Sequence, residues 1–247
     1  MQIGNWVFRP GWAPALATAV LFPLLILLGN WQLDRADQKV TLYELYQHRG
    51  LLGQIDINQE PLLLNNREDL LWRKVRVTGE FFEEKTFLLD NQVVNGEVGY
   101  FVFSPIKLEQ TTKWLLVNRG WVPAGPYRNK VPVIDISSGN VTINGVIKDP
   151  PGTGIVFSDT IVEDMGNRFV RLQNIDIDNI GTLLGAPVYS FVMRLEPSSA
   201  TGFVRKWPQP GSGSERHHGY AFQWFSMAAI LLIIFVVLNS KRHRTNE

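Results

Sequence analysis

The chain is 247 residues long, carries a formal net charge of +1 and contains no cysteine. That balance offers no argument for a nucleic-acid partner, and the lack of cysteine excludes a disulfide framework, a CxxC redox site or a thiolate metal site. Charged residues make up 19% of the chain, against about a quarter in ordinary globular domains, and the deficit lies in two stretches near the ends.

The first stretch, Pro10 to Leu33, has no charged side chain and exceeds the ~20 residues a helix needs to cross a bilayer core. It predicts a transmembrane helix over 12–31, bracketed by Trp12 and Trp31, after a cytoplasmic arm (1–11) too short to fold. A cleaved signal peptide would end in small residues; LLGNWQLDR has Trp, Gln and Leu there, so the segment reads as a retained anchor. LDRADQKVTLYELYQHR follows with Val40, Leu42, Leu45 and Tyr46 at helical spacing, and continues the helix or starts another beside it.

Short strand-like runs come next. In WRKVRVTGEF, Val75 and Val77 alternate with Arg76 and Thr78. TFLLDN, VGYFVFSPI, TKWLLVNRGWV and NVTINGVI follow, and EQTT between two of them marks a hairpin. IDIDNIGTLLG carries a helical stripe closed by Gly185 and Pro187, and VYSFVMRLE is a last strand. Strands joined by short turns with a few helices predict an α+β fold, with a mainly antiparallel sheet in an external domain over 32–207. PQPGSGSE begins a linker region (208–219) that leads into the head of a second span.

That second span, 220–239, lies in a stretch without charge from Gly219 to Ser240, with Tyr220 and Trp224 at its head. The tail (240–247) holds Lys241, Arg242 and Arg244, and such clusters stay on the cytoplasmic side. Both termini are then cytoplasmic and the central domain is external.

Three motifs carry candidate chemistry. GNWQLDR places Trp31, Gln32 and Arg35 at the outer membrane face. It reads either as an interfacial girdle or as an arginine held ready for an anionic ligand group. NRGWVP ends a strand with Gly120 between Arg119 and Trp121, which suggests a bulge or a close backbone approach. There is no nucleophile elbow, GTGIVF lacks a phosphate-loop lysine, and His48 stands without a signature, so no enzyme is expected. The third motif is SERHHGYAFQWF. With a helix starting near Ser214 and capped by it, His217, Tyr220 or Ala221, and Trp224 share a face, while His218 points with Ala221, Phe222 and Phe225. The positive end of the helix dipole keeps His217 neutral. A neutral imidazole beside aromatic rings at the lipid boundary suits an iron porphyrin; two polar interfacial histidines are the plainer reading.

GNWQLDR with Lys39, WRKVRVTGEF, LLDNQVVNGEVGYFVFSPI, NRGWVP and HHGYAFQWF occur in this order between two spans. Together, over essentially the whole chain, they resemble the Surfeit-one (Shy-one) family of cytochrome c oxidase assembly factors. The N-terminus enters the first span at once, with no room for a transit peptide, so the chain looks like a bacterial member in the cell inner membrane. The resemblance implies a non-enzymatic role: transient binding of haem a and help in its insertion into the oxidase catalytic subunit, with haem A synthase a further partner in the bilayer. It maps the site onto His217 as iron ligand with Tyr220 and Trp224, and onto Gly29, Trp31, Gln32 and Arg35; His218 stays a second candidate ligand. The alternative is a haem-independent scaffold or chaperone for oxidase subunits. A sensor role is excluded by cytoplasmic segments too short for an output domain.

Overall fold

A computed structural model describes residues 2–3, 6–109, 111–125, 127, 130–132, 134, 139–152, 162–166, 168–199 and 202–242. Most of GTGIVF, and the tail from residue 243 onward with Arg244, lie outside the described residues. In chain order, β1 (Gln2–Ile3) and β2 (Trp6–Phe8) precede the long helix α1 (Trp12–Leu51) and the short strand β3 (Ile55–Asp56). A 3₁₀ turn (Pro61–Asn65) and α2 (Arg67–Leu70) lead into β4 (Lys74–Phe81), β5 (Thr86–Val94), β6 (Glu97–Lys107), β7 (Trp114–Pro123) and β8 (Asn140–Lys148). Then come β9 (Val162–Asp164), β10 (Phe169–Leu172), α3 (Ile177–Leu184), β11 (Val188–Leu195), α4 (Ser214–Asn239) and β12 (Ser240–Arg242). The chain divides into two units, residues 1–45 with 208–247, and 46–207.

The helical unit holds the two charge-free stretches. α1 runs for 40 residues and α4 for 26, and both are long and apolar enough to cross a membrane. At 1.5 Å per residue α1 spans about 60 Å, twice a hydrocarbon core, so its apolar half and its charged half are one continuous helix. Leu16, Leu24, Leu27, Phe222, Ile233 and Val237 are exposed on the two helices, as lipid-facing side chains would be. The N-terminal arm, expected to be too short to fold, instead pairs: β1 lies against β2, and β2 against β12. Short chains gain order when a neighbour supplies the hydrogen bonds, and here the end of α4 does so, with Arg9 N–H donating to the Asn239 carbonyl at 2.9 Å.

The second unit is built on one sheet in the order β3-β4-β8-β11-β7-β6-β5-β10-β9. An additional pairing of β4 with β6, Glu80 opposite Lys107 and Phe81 opposite Ile106, closes β4, β8, β11, β7 and β6 into a five-stranded barrel. Among the described residues, six pairings of this sheet are antiparallel and three parallel (β3 with β4, β5 with β10, β7 with β11). The alternation read in WRKVRVTGEF has a direct cause: Val75, Val77 and Phe81 point into the barrel, where they meet Ile106, Leu115, Val117, Ile143, Ile147, Phe191 and Met193. Closure requires glycine at the seam. A Cβ on Gly79 would stand 2.3 Å from the Lys107 carbonyl oxygen. On the outer face, α3 covers Phe87, Phe103, Leu116 and Val192 through Ile180. Its Asp176 N-cap accepts from the Asp178 and Asn179 amides, and Gly185, at φ +65°, ends it.

Candidate functional site

Two features of the helical unit set the site: a stripe of small or buried side chains on α1, and the start of α4. Gly29, Gln32 and Ala36 are the buried residues of α1 in this region, at the i, i+3, i+7 spacing of one helix face. Ala221 and Ala228 are their buried counterparts on α4. The close approach is at Gly29, where an added Cβ would fall 2.5 Å from the Phe225 ring. Small residues at such a crossing let helices meet without a hydrophobic driving force between them.

Further contacts fasten the two helical segments. Asn239, buried at the far end of α4, accepts from the Gly11 amide at 3.1 Å and donates to the Phe235 carbonyl at 2.8 Å. Lys39 Nζ donates to the Ser212 carbonyl at 2.9 Å, and Gly211 lies against the backbone of Lys39 and Tyr43. Nearest the motif, Gln32 Oε1 lies 2.7 Å from His217 Nδ1. An amide oxygen only accepts, so His217 donates from Nδ1 in this bond, and the neutral ring with that tautomer has its lone pair on Nε2. This is the arrangement that orients metal-binding histidines elsewhere: one nitrogen is anchored, the other is left as the ligand.

The remaining motif residues fall out around that bond. His217 is half-buried and shares the α1-facing stripe with Ala221, which was one of the two expected there, and with Ala228 and Phe225; Phe225 was expected on the His218 side. The reason is rotational: the stripe spans His217 to Phe225 in angle, and His218 lies just beyond it, exposed like Phe222. Tyr220 is 51% exposed on the opposite flank and Trp224 is half-buried beside it. On α1, Trp31 is exposed, and the Arg35 guanidinium sits 5.8 Å from its ring centre while donating to Gln38 Oε1 at 2.9 Å. Ser214 does not cap α4. The cap position is Gly213, at φ +87° and with no side-chain hydrogen bond, because the turn leading in is made by glycines packed on α1. Asn239 and Lys39 were missed as fastening residues. A lone asparagine closing an apolar run was the available sign for the first.

In the other unit, NRGWVP has the bulge that Gly120 suggested. The register of β6 and β7 shifts between Val102–Gly120 and Phe103–Asn118, Gly120 has φ +121°, and the Asn118 side chain accepts its amide at 3.1 Å. Arg119 is left buried between the Phe81 and Phe203 rings, at 5.0 and 5.2 Å. His48 lies at a surface cavity with Arg49, Glu60 and Arg73. Among the described residues, no group of three or more His, Asp or Glu is placed to hold a metal ion directly.

Two helices able to span a bilayer, fastened to each other and flanking a barrel-based α+β domain, define the class: the arrangement fits a two-span membrane protein. The chain belongs to the SURF1 family, whose profile matches residues 19–229. It is 25% identical over 226 residues to a SURF1-like protein of Rickettsia bellii, covering 89% of this chain and 88% of the relative. It is 31% identical over 101 residues to the cytochrome oxidase assembly protein SHY1 of Saccharomyces cerevisiae, covering 38% of this chain and 24% of the relative. Over 105 residues it is 33% identical to surfeit locus protein 1 of Arabidopsis thaliana, covering 39% of this chain and 30% of that protein.

Proposed function

We propose that this protein is a non-enzymatic assembly factor for cytochrome oxidase that binds haem a through His217 and assists its insertion into the catalytic subunit. Family membership and the name of the yeast relative support the oxidase-assembly role. The haem reading rests on one observation, the Gln32–His217 hydrogen bond that leaves His217 Nε2 as an electron-pair donor. The residues fit the group: Tyr220 and Trp224 offer ring surface on the same flank, and both are at least partly exposed. Bound haem would supply iron able to accept the imidazole nitrogen. Gln32 holds the ring and its tautomer, while Arg35, exposed less than one turn from Gln32, is the cation for a propionate. The site is proposed to lie at the outer face of a bacterial inner membrane, with both termini cytoplasmic and the barrel domain periplasmic. Haem A synthase is the proposed donor.

The test is the absorption spectrum of the full chain purified from a host that makes haem a. The parent is expected to show a Soret band, and His217→Ala to lose or strongly shift it while remaining folded in the membrane. Gln32→Leu should weaken haem affinity by about 10–100-fold, the usual cost of removing the partner that orients a metal-binding histidine. His218→Ala should leave the spectrum close to the parent's. A parent that reproducibly lacks a Soret band, under conditions that load other haem a proteins, would replace this reading with that of a haem-independent scaffold for oxidase subunits.

A further inference from the structure

The outer face of the barrel carries a cluster of cations that the haem site does not use. Across three neighbouring strands, Lys74 of β4 and Arg194 of β11 both stand opposite Val146 of β8. Lys148 follows two residues along β8, on the same face, and is therefore the diagonal neighbour of Arg194. Like charges at such positions repel, and burial should make the arrangement worse.

Aromatic rings hold the two inner cations in place. Lys148 Nζ lies 4.3 Å from the Trp72 ring centre, and the Arg194 guanidinium 4.9 Å from that of Trp207. Both rings are themselves fixed. Trp72 adopts φ +65°, an unusual conformation for a bulky residue, its amide donates to the Ile147 carbonyl at 2.8 Å, and Tyr46 packs edge-on against it. Trp207 donates its indole N–H to the Leu195 carbonyl at 2.9 Å and rests on Phe101.

Among the described residues no carboxylate forms an ion pair with either cation, and Asp149 offsets the Lys148 charge only in part. Among the described residues, the side chain of neither Lys148 nor Arg194 makes a hydrogen bond or an ion pair. Asp149, next along the chain, is engaged by Arg67, and Glu196, two residues beyond Arg194, accepts from Ser198. Burial, with Arg194 beside it, lowers the Lys148 ammonium from 10.5 to about 8, and Asp149 only partly opposes this. Arg194 is lowered to about 10 by burial, against the influence of Tyr46, and stays charged at neutral pH.

We propose that Lys148 and Arg194, with Lys74 at the rim and Trp72 and Trp207 as walls, form a site above Val146 for a phosphate-class oxyanion, either free or esterified in a lipid headgroup. An oxyanion there would accept charge-assisted hydrogen bonds from the ammonium and the guanidinium, relieve their repulsion and leave the rings in contact with the alkyl stems. The site is independent of the haem reading.

The test uses the full chain in a non-ionic detergent at pH 7, with ionic strength held constant by chloride. Calorimetric titration is run with inorganic phosphate in one arm and with monomeric dihexanoyl phosphatidylglycerol in the other. Saturable binding in either arm is expected, and the arm that binds identifies the source. Lys148→Met and Arg194→Leu should each weaken it about tenfold or more, Lys148→Arg should retain it, and Lys74→Met, at an exposed position, should weaken it by a smaller factor. Without phosphate, Lys148→Met should melt no lower than the parent, which separates lost binding from lost folding. The proposal is overturned if the parent binds in neither arm, or if the charge-removing variants bind as the parent does.

Discussion

At the scale of single residues, His217 and Lys148 illustrate opposite uses of a partner. His217 has one, Gln32, and the bond decides which ring nitrogen is available. Lys148 has a cation and an aromatic ring instead, and its ammonium is held down at about 8. The sign of the consequence follows from proton counting. Between about pH 8 and 10.5 the unfolded chain keeps the Lys148 proton that the folded chain has released, so this residue's contribution to stability rises with pH across that window. Lys148→Met keeps the stem on Trp72 and removes the charge. Below pH 8 it should therefore be more stable than the parent by on the order of 2 kcal/mol after allowance for solvent screening. That advantage should vanish by about pH 10.5, as read from urea midpoints across the range. A constant difference from pH 7 to 10.5 would contradict the burial of this charge.

Among the elements, two glycines show where close approach is required and one where it is not. Gly29→Leu would drive a side chain into Phe225 and push α1 from α4 at the height of the Gln32–His217 bond. It should lower oxidase maturation, measured as oxidase activity in host membranes, far more than Leu27→Ala, whose side chain is 64% exposed. Adding Phe225→Ala should restore part of the loss. Gly79→Ala at the barrel seam should destabilise the domain by about 2 kcal/mol or more, because the atom it meets is backbone. Gly50→Ala, with nothing within 4 Å on a helix, should be neutral or raise stability by up to about 1 kcal/mol. The sequence exposes only part of this. Hairpins such as β6–β7 can be read because alternation and a short turn are local. The seam between β4 and β6 cannot, since a glycine in a strand looks the same whether or not a second backbone lies beneath it. Gln32 and His217 were each recognisable from their motifs, but the bond joins positions 185 apart, and its existence depends on the Gly29 crossing. Ser214 misled because the pattern of a helix start says nothing about a glycine turn already anchored on another helix.

For the whole molecule, the proposed orientation predicts where a reporter can work. An enzyme active only outside the cytoplasm, inserted at the exposed Asn95–Gly96 turn between β5 and β6, should be active, and the same enzyme after Glu247 should not. The reverse pattern would invert the topology. The order of the barrel strands also carries a consequence in time. β11 is the last strand of the barrel to be synthesised, yet it stands between β7 and β8 and is paired to both. A growing chain that has reached Lys148 has every other stave of the barrel, but β7 and β8 still show bare edges to their surroundings. They stay so until Leu195 has emerged. The domain therefore passes through its most adhesive state while already tied at its N-terminal side, and a ribosome stall or premature stop between Lys148 and Leu195 should leave an aggregating fragment where a stop after Trp207 would not.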